Sequence, residues 1–328
     1  MPHQTLILTH ADVRALCDMT LAMEAVADGF RAYAEGRARM PAKVYLELPE
    51  YNGDFRAMPS LLNADQDRRA YAGVKWVNAH PNNPARFGLP TVLGTYVLSD
   101  PQTALPLAIM DATLLTALRT GAAAGVATQQ LANLPLSRVG FVGAGVQARM
   151  FRDALKTLGA FELLAADRDS SAAQRFAAES GGRAVSVREA AGCPVVCIAT
   201  PSSTPVIQRA WVAPGTHINA MGADGPGKQE LDPQILVDAR IVVDEPEQSL
   251  HGGELNVPVS QGLLTEAAIA ATLGGVLSGA QLGRRQPDEI TVFDSTGLAI
   301  QDVALAAAIY ERAKQRGMGT PVELVPAG

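Results

Sequence analysis

Between residues 11 and 37 apolar side chains recur at spacings of three and four: Leu16, Met19, Met23, Ala27 and Phe30. That period predicts one helix, and Gly36 is placed to end it. From Lys43 to Leu48 the pattern turns to alternation, the mark of a strand. Strand-like segments follow at 71–77, 91–98 and 105–110, broken by Pro and Gly as in NNPARFGLP. Such a run predicts a mixed or antiparallel sheet in the first third. Residues 112–131 then read as a long helix of small residues containing LRTGAAAGVA.

From Ser137 the rhythm changes again. Short apolar strands alternate with helices: RVGFV, FELLAAD, RAVSV, VVCIAT, THINAM, ARIVVDE and EITVFD. Alternation of this kind predicts a parallel sheet covered by helices on both faces. The last helix, about 298–316, has no strand left to pair with and is expected to return to the first domain. The fold class is therefore expected to be α/β: a Rossmann-type doubly wound parallel sheet plus an α+β domain. The expected boundaries are 1–125 with 302–328 for the α+β domain and 126–301 for the Rossmann domain.

Composition narrows the function classes. The chain has 328 residues, 48% hydrophobic and 18% charged, enough for two domains of ordinary globular make-up. It has no run of about 18 apolar residues, so no membrane span is expected. The opening MPHQTLILTHADV lacks a basic patch before an apolar stretch, so a cytoplasmic protein is expected. A net charge of −6 offers no electrostatic reason to bind nucleic acid. Cys17, Cys193 and Cys197 are too few for a disulfide framework and read as small buried hydrophobes. His3, His10, His80, His217 and His251 are scattered, so no metal site is expected.

The sharpest local motif is Gly143-Ala-Gly145-Val-Gln-Ala148, between the strand RVGFV and the helix VQARMFRDALKTL. Gly143 permits a tight turn. Gly145 lets the backbone approach a pyrophosphate, which then sits on the N–H groups around Val146 and Gln147 at the helix start. The next strand ends at Asp167, 24 positions after Gly143. An acid near that offset binds a ribose 2′-OH and repels a 2′-phosphate, which favours NAD over NADP. Arg168 and Asp169 follow it directly. Later strand ends offer Thr200 and the run Met221, Gly222, Ala223 and Asp224 to the same crevice.

In the first domain Lys43, Arg56, Lys75 and Arg119 stand near strand ends or among small residues. Lys75 lies inside the apolar stretch YAGVKWV. A lysine held there beside other cations has its pKa lowered, which suits acid–base work. Arg119 is mid-helix among small residues, an odd place for a merely solvated charge.

The segments MPAKVYLELP, DFRAMPSLL, GVKWVNAHPNNP, GLPTVLG, PLAIMDATLLTALRTGAAAG, GAGVQA, INAMGADGPGKQELD, HGGELNVPVS and FDSTGLAIQD occur in this order. Together they resemble the ornithine cyclodeaminase/μ-crystallin family across nearly the whole chain. Within it the likeness is strongest to the archaeal-type branch that reductively aminates pyruvate to L-alanine. The resemblance implies that Lys75 is the catalytic lysine. It implies that Asp224 donates a proton or orients the attacking group. Arg119 would bind the substrate carboxylate and touch the cofactor. Gln147, Asp167, Thr200, Lys228 and Ser295 fall in segments that line the NAD site. It also implies a homodimer, built through the first third and the C-terminal helix. One departure stands out: the cyclodeaminases carry Glu two places before the Met-Pro, where this chain has Arg56. That reversal disfavours a distal ammonium and suits a carboxylate or carbonyl. Lys43 stands where many relatives carry Arg, so a planar contact is lost there.

The implied reaction is NAD-dependent interconversion of a small amino acid with its 2-oxo acid and ammonia. Arg56, Arg119 and Lys43 would hold the carboxylate. Two alternatives remain within enzymes: cyclodeamination of ornithine or lysine with recycled NAD, and reduction of a cyclic ketimine. A third, from another class, is a non-catalytic small-ligand binder of the μ-crystallin type.

Overall fold

The computed structural model describes residues 4–65 and 69–325. His3 lies outside them. The chain forms two compact units, Met1–Arg119 with Leu298–Gly328, and Thr120–Gly297.

The first unit holds a sheet ordered Thr320–Val322, Thr5–Leu8, Pro106–Asp111, Val92–Ser99, Tyr71–Ala79, Gly53–Leu62 and Ala38–Arg39, with Val44–Leu48 also paired to Gly53–Leu62. Among the described residues only Thr5–Leu8 with Pro106–Asp111 runs parallel, so the sheet is mixed. Period two then sorts the side chains. Met58, Lys75, Tyr96 and Met110 stand opposite one another on adjacent strands, and all are buried. The helix Ala299–Arg316 covers that face; the Ser60 hydroxyl donates to its Ala299 carbonyl at 2.9 Å. A second helix, Met19–Ala34, packs on Ala299–Arg316. A Cβ on Gly29 would come within 3.0 Å of the Ile300 carbonyl oxygen, so glycine permits the close crossing.

The apolar period predicted one helix over 11–37. The structure has two, His10–Leu16 and Met19–Ala34. Cys17 is extended, and the Asp18 carboxylate accepts the Leu21 N–H at 2.8 Å, which starts the second helix. A cap that competes locally with the helix leaves no trace in the apolar spacing. RAVSV is also shorter than expected: only Arg183–Ala184 is strand, because Ser186 caps a helix at Val187–Ala191. The strand Gly53–Leu62 was not predicted. Its Pro59 argues against a strand by pattern, yet it falls between the stretches paired to Val44–Leu48 and to Ala38–Arg39, where among the described residues no strand pairs on that side and proline's missing N–H breaks no ladder there. Thr5–Leu8 and Ile269–Thr272 were also missed, being four-residue strands too short to show a period.

The second unit is built on eight strands ordered Arg183–Ala184, Glu162–Ala166, Arg138–Val142, Val195–Ile198, His217–Ala220, Thr291–Asp294, Arg240–Val243 and Ile269–Thr272. Every pairing is parallel. The strand order reverses between Arg138–Val142 and Val195–Ile198, and such a switch point opens a crevice at the carboxyl ends of the strands. Val142, Ile198, Ile218, Val243 and Val292 form the core beneath it. Among the described residues no helix is long and apolar enough to cross a membrane.

A Cβ on Gly140 would lie 1.9 Å from the Ala190 carbonyl oxygen. Gly140→Ala is therefore expected to lose about 1–3 kcal/mol of stability by overpacking. Urea unfolding of the full chain measures it, and an unchanged midpoint would contradict the packing described.

Candidate functional site

In the second unit the glycine-rich turn follows the strand Arg138–Val142. Gly143 has φ of +97°, and a Cβ there would lie 2.5 Å from the Ala199 carbonyl oxygen. Gly145 is the N-cap of the helix Val146–Lys156 and supplies no side-chain cap. A Cβ on Gly145 would project into open space. The helix start thus presents backbone N–H groups beside a space that a side chain would fill, which is the form of an anion cradle. The Gln147 Oε1 is buried without a hydrogen-bond partner, an acceptor that calls for a hydroxyl or N–H donor rather than for the anion itself. Val146 is exposed and Ala148 buried, as a helix that opens a crevice and packs on its strand requires.

Asp167 stands just beyond the strand Glu162–Ala166. One carboxylate oxygen accepts the Ala144 N–H at 2.7 Å and the other the Asp169 N–H at 2.8 Å. It therefore ties the glycine turn to the neighbouring strand end, where a ribose diol is expected. Arg168 is exposed, and Asp169 caps the helix Ser170–Ser180 through the Ser171 N–H at 2.9 Å. Thr200 follows Val195–Ile198, and Met221, Gly222 and Ala223 follow His217–Ala220. Asp224 pairs with Lys228. The Ser295 hydroxyl donates to Asp244 at 3.1 Å. These residues gather at the carboxyl end of one parallel sheet.

The first unit carries a different chemistry. Lys75 and Asp302 are both fully buried, with Nζ 2.9 Å from the carboxylate. The Arg119 Nε lies 3.2 Å from the same carboxylate, and its Nη1 donates to the Gln301 side chain at 3.0 Å. Gln301 and Asp302 come from the first turn of Ala299–Arg316. Burial lowers the Lys75 pKa to about 7; the Arg119 charge adds to the shift, Asp302 opposes it, and Lys43 lowers it further. Arg56 shares the Lys75 face of the sheet, opposite Val77. Its guanidinium binds Asp54 at 2.9 and 3.0 Å and lies over the Tyr45 ring at 5.3 Å. The charge of Arg56 is thus offset by a neighbour two residues away, which softens the reversal expected from sequence.

The structure therefore brings Lys75 and Arg119 together, with Lys43 close enough to act on Lys75. It places Asp224 in the second unit, with the nucleotide-type residues. It also adds Asp302 and Gln301, which the sequence reading overlooked. Gln301 and Asp302 interrupt the apolar run LAIQDVALAAAI, but nothing in the run names the partner that a buried carboxylate requires.

The profile of the ornithine cyclodeaminase/mu-crystallin family matches residues 3–317. The chain is 49% identical over 326 residues to the alanine dehydrogenase of Archaeoglobus fulgidus, covering 98% of each. Among solved structures it is similar to an archaeal alanine dehydrogenase dimer with bound NAD, at 48% identity and a TM-score of 0.91, covering 98% of this chain and 100% of that one. It is also similar to the Thermococcus litoralis Δ1-pyrroline-2-carboxylate reductase in complex with NADH and L-proline. There the identity is 36%, the TM-score 0.90, and the coverage 97% of this chain and 100% of that one.

The Lys75 shift has a stability consequence. Below pH 7 the folded and unfolded chains both carry the proton, and the full cost of the buried ammonium stands. Between about 7 and the ordinary 10.5 the unfolded chain binds more proton, so stability rises with pH. Relative to Lys75→Met, the parent chain is expected to gain stability across that window, with a slope approaching about 1.4 kcal/mol per pH unit. Denaturant melts of both proteins at pH 6 to 10 test this; a constant difference between them would contradict it.

Proposed function

The chain belongs to the ornithine cyclodeaminase/mu-crystallin family, and on that premise we propose that it is an NAD-dependent dehydrogenase interconverting L-alanine with pyruvate and ammonia. The observation that carries this reading is the fully buried Lys75, held against Asp302 with its pKa near neutrality. A general base poised near the working pH is what deprotonation of an amine or carbinolamine needs. When bound, NAD supplies the hydride acceptor for the substrate Cα. The open space at Gly145 supports its pyrophosphate there, with Gly143 making the turn, and the unpaired Gln147 oxygen is an acceptor for a hydroxyl or N–H of the cofactor. Asp167 receives the ribose, and Thr200, Met221, Gly222, Ala223, Lys228 and Ser295 line the remaining crevice. Arg168 and Asp169 flank the ribose position.

Arg119 holds the substrate carboxylate with the donors that Asp302 and Gln301 leave over, aided by Arg56 and Lys43. Neutral Lys75 takes a proton from the alanine ammonium. In the reverse direction its charged form gives a proton to the departing oxygen as water leaves. Asp302 stabilises that charged form, and Asp224 orients ammonia or water. The partners are small molecules and a second copy of the chain, in the cytoplasm. Support for a homodimer comes from the sheet face opposite Lys75, where Val44, Leu46 and Trp76 are exposed and Phe55 stacks on Trp76 at 5.0 Å.

A second reading, reduction of a cyclic imine, is favoured by the likeness to the Thermococcus litoralis reductase. Absorbance at 340 nm separates the two. A dehydrogenase makes free NADH from alanine and NAD. An imine reductase consumes NADH with a preformed cyclic imine and no ammonia, and a cyclodeaminase releases ammonia with no net NADH.

In the oxidative direction kcat/KM is expected to rise with pH through about 7, as Lys75 loses its proton. Lys75→Ala should keep NADH binding but lose at least about a hundredfold in turnover; near-parental turnover would remove Lys75 from the mechanism. Asp167→Ala should weaken NAD and narrow its advantage over NADP, measured as the ratio of kcat/KM values. An unchanged ratio would rule out the ribose role.

A further inference from the structure

Glu230 is buried, and three donors from two strand-end loops converge on its carboxylate. One oxygen accepts the Thr200 N–H at 2.5 Å and the Thr200 hydroxyl at 2.7 Å; the other accepts the Gly222 N–H at 2.7 Å. Thr200 follows Val195–Ile198 and Gly222 follows His217–Ala220, so one side chain joins two neighbouring loops at the crevice. The approach requires glycine at 222, where a Cβ would lie 2.4 Å from the Thr200 carbonyl oxygen and 2.5 Å from Glu230.

Glu230 is itself anchored. Its N–H and that of Leu231 donate to Glu254 at 2.8 and 3.1 Å. The Glu254 N–H donates to Asp294 at 3.0 Å, at the end of Thr291–Asp294. A Cβ on Gly253 would lie 2.4 Å from that Asp294 carboxylate, so glycine is required there too. Asp244, after Arg240–Val243, accepts the N–H groups of Thr296 and Gly297 at 2.7 and 2.8 Å. Backbone-held carboxylates thus strap together the loops beyond four neighbouring strands. Burial raises Glu230 and Asp294 above the ordinary carboxyl range, and for Asp294 the neighbouring carboxyls add to the shift, as crowding of acids away from water does. Apolar side chains would pack there without that crowding, but they would not fix the Thr200 and Gly222 peptides.

We infer that Glu230 is a positioning residue for the nucleotide: it locks the Thr200 and Gly222 loops into one preset lip, and cofactor affinity depends on that lock. This rests on the NAD-dependent reading above. The full-length Glu230→Gln chain tests it, because an amide nitrogen in place of either oxygen faces an N–H donor and breaks one arm of the bridge. NADH dissociation constants come from nicotinamide fluorescence, alongside KM for NAD, KM for alanine and kcat. The expected result is a rise of about tenfold in the NADH dissociation constant and in KM for NAD, with KM for alanine and kcat at saturating NAD within about twofold. Should Glu230→Gln fail to fold, Glu254→Gln loosens the anchor of the same bridge, away from the crevice lining, and is expected to shift the same two constants. An unchanged NADH dissociation constant in a folded variant overturns the assignment, as does a parallel loss in every parameter. Parent chain that neither binds NADH nor makes it from alanine overturns the functional reading as well. Parent chain that does both, with an unaltered variant, overturns the role of Glu230 alone.

Discussion

The first unit is organised around one electrostatic constraint: an ammonium with no solvent exposure must have a carboxylate against it. Lys75 satisfies this through Asp302, a residue 227 positions later in the chain. Several kcal/mol of desolvation penalty fall on each ion of such a pair, and only close geometry offsets them. That is why the C-terminal helix has to dock on the sheet at one register. The Ser60 hydroxyl on the Ala299 carbonyl and the glycine at position 29 hold the helix in that register from two sides. Arg119 completes the arrangement, pulling Asp302 toward a shared position while pushing the Lys75 proton off. The same contacts that stabilise the docking therefore set the protonation balance of the lysine.

A comparable economy governs the second unit, with the signs exchanged. There the anchoring groups are buried or half-buried carboxylates, and the partners are backbone N–H groups at strand ends. Asp167 holds Ala144 in the glycine turn, Glu230 holds Thr200 and Gly222, and Asp244 holds Thr296 and Gly297. Loops at the carboxyl edge of a parallel sheet have no ladder partners of their own. Side-chain acceptors replace the ladder and fix peptide directions, and glycine at 222 and 253 gives the carboxylates room.

Much of this was legible beforehand because parallel strands buried on both faces read as apolar runs. The strand RVGFV, the turn from Gly143 to Gly145 and Asp167 were placed correctly in the fold by that rhythm alone. Lys75 stood out because a charge inside YAGVKWV has no way to stay solvated. What was lost shares one physical cause: it depended on partners distant in sequence or on local polar competition. Asp302 is visible only as half of a pair whose other half lies in another element. Asp54, which offsets Arg56, sits on the same strand, but nothing in a linear pattern says which charges will face each other. The break at Cys17 and Asp18 arises from a single cap, and the strand through Pro59 is possible because its neighbours leave a gap at that residue.

The protonation state of Lys75 is the most direct point of attack. Heteronuclear NMR of protein labelled at the lysine side chains, assigned by comparison with a Lys75→Arg variant, reports each ammonium as pH is varied. One lysine resonance with a midpoint near 7, absent from the variant, is the predicted result. Titration of every lysine near its ordinary 10.5 would show that Lys75 stays charged at neutral pH, and would contradict its role as the base.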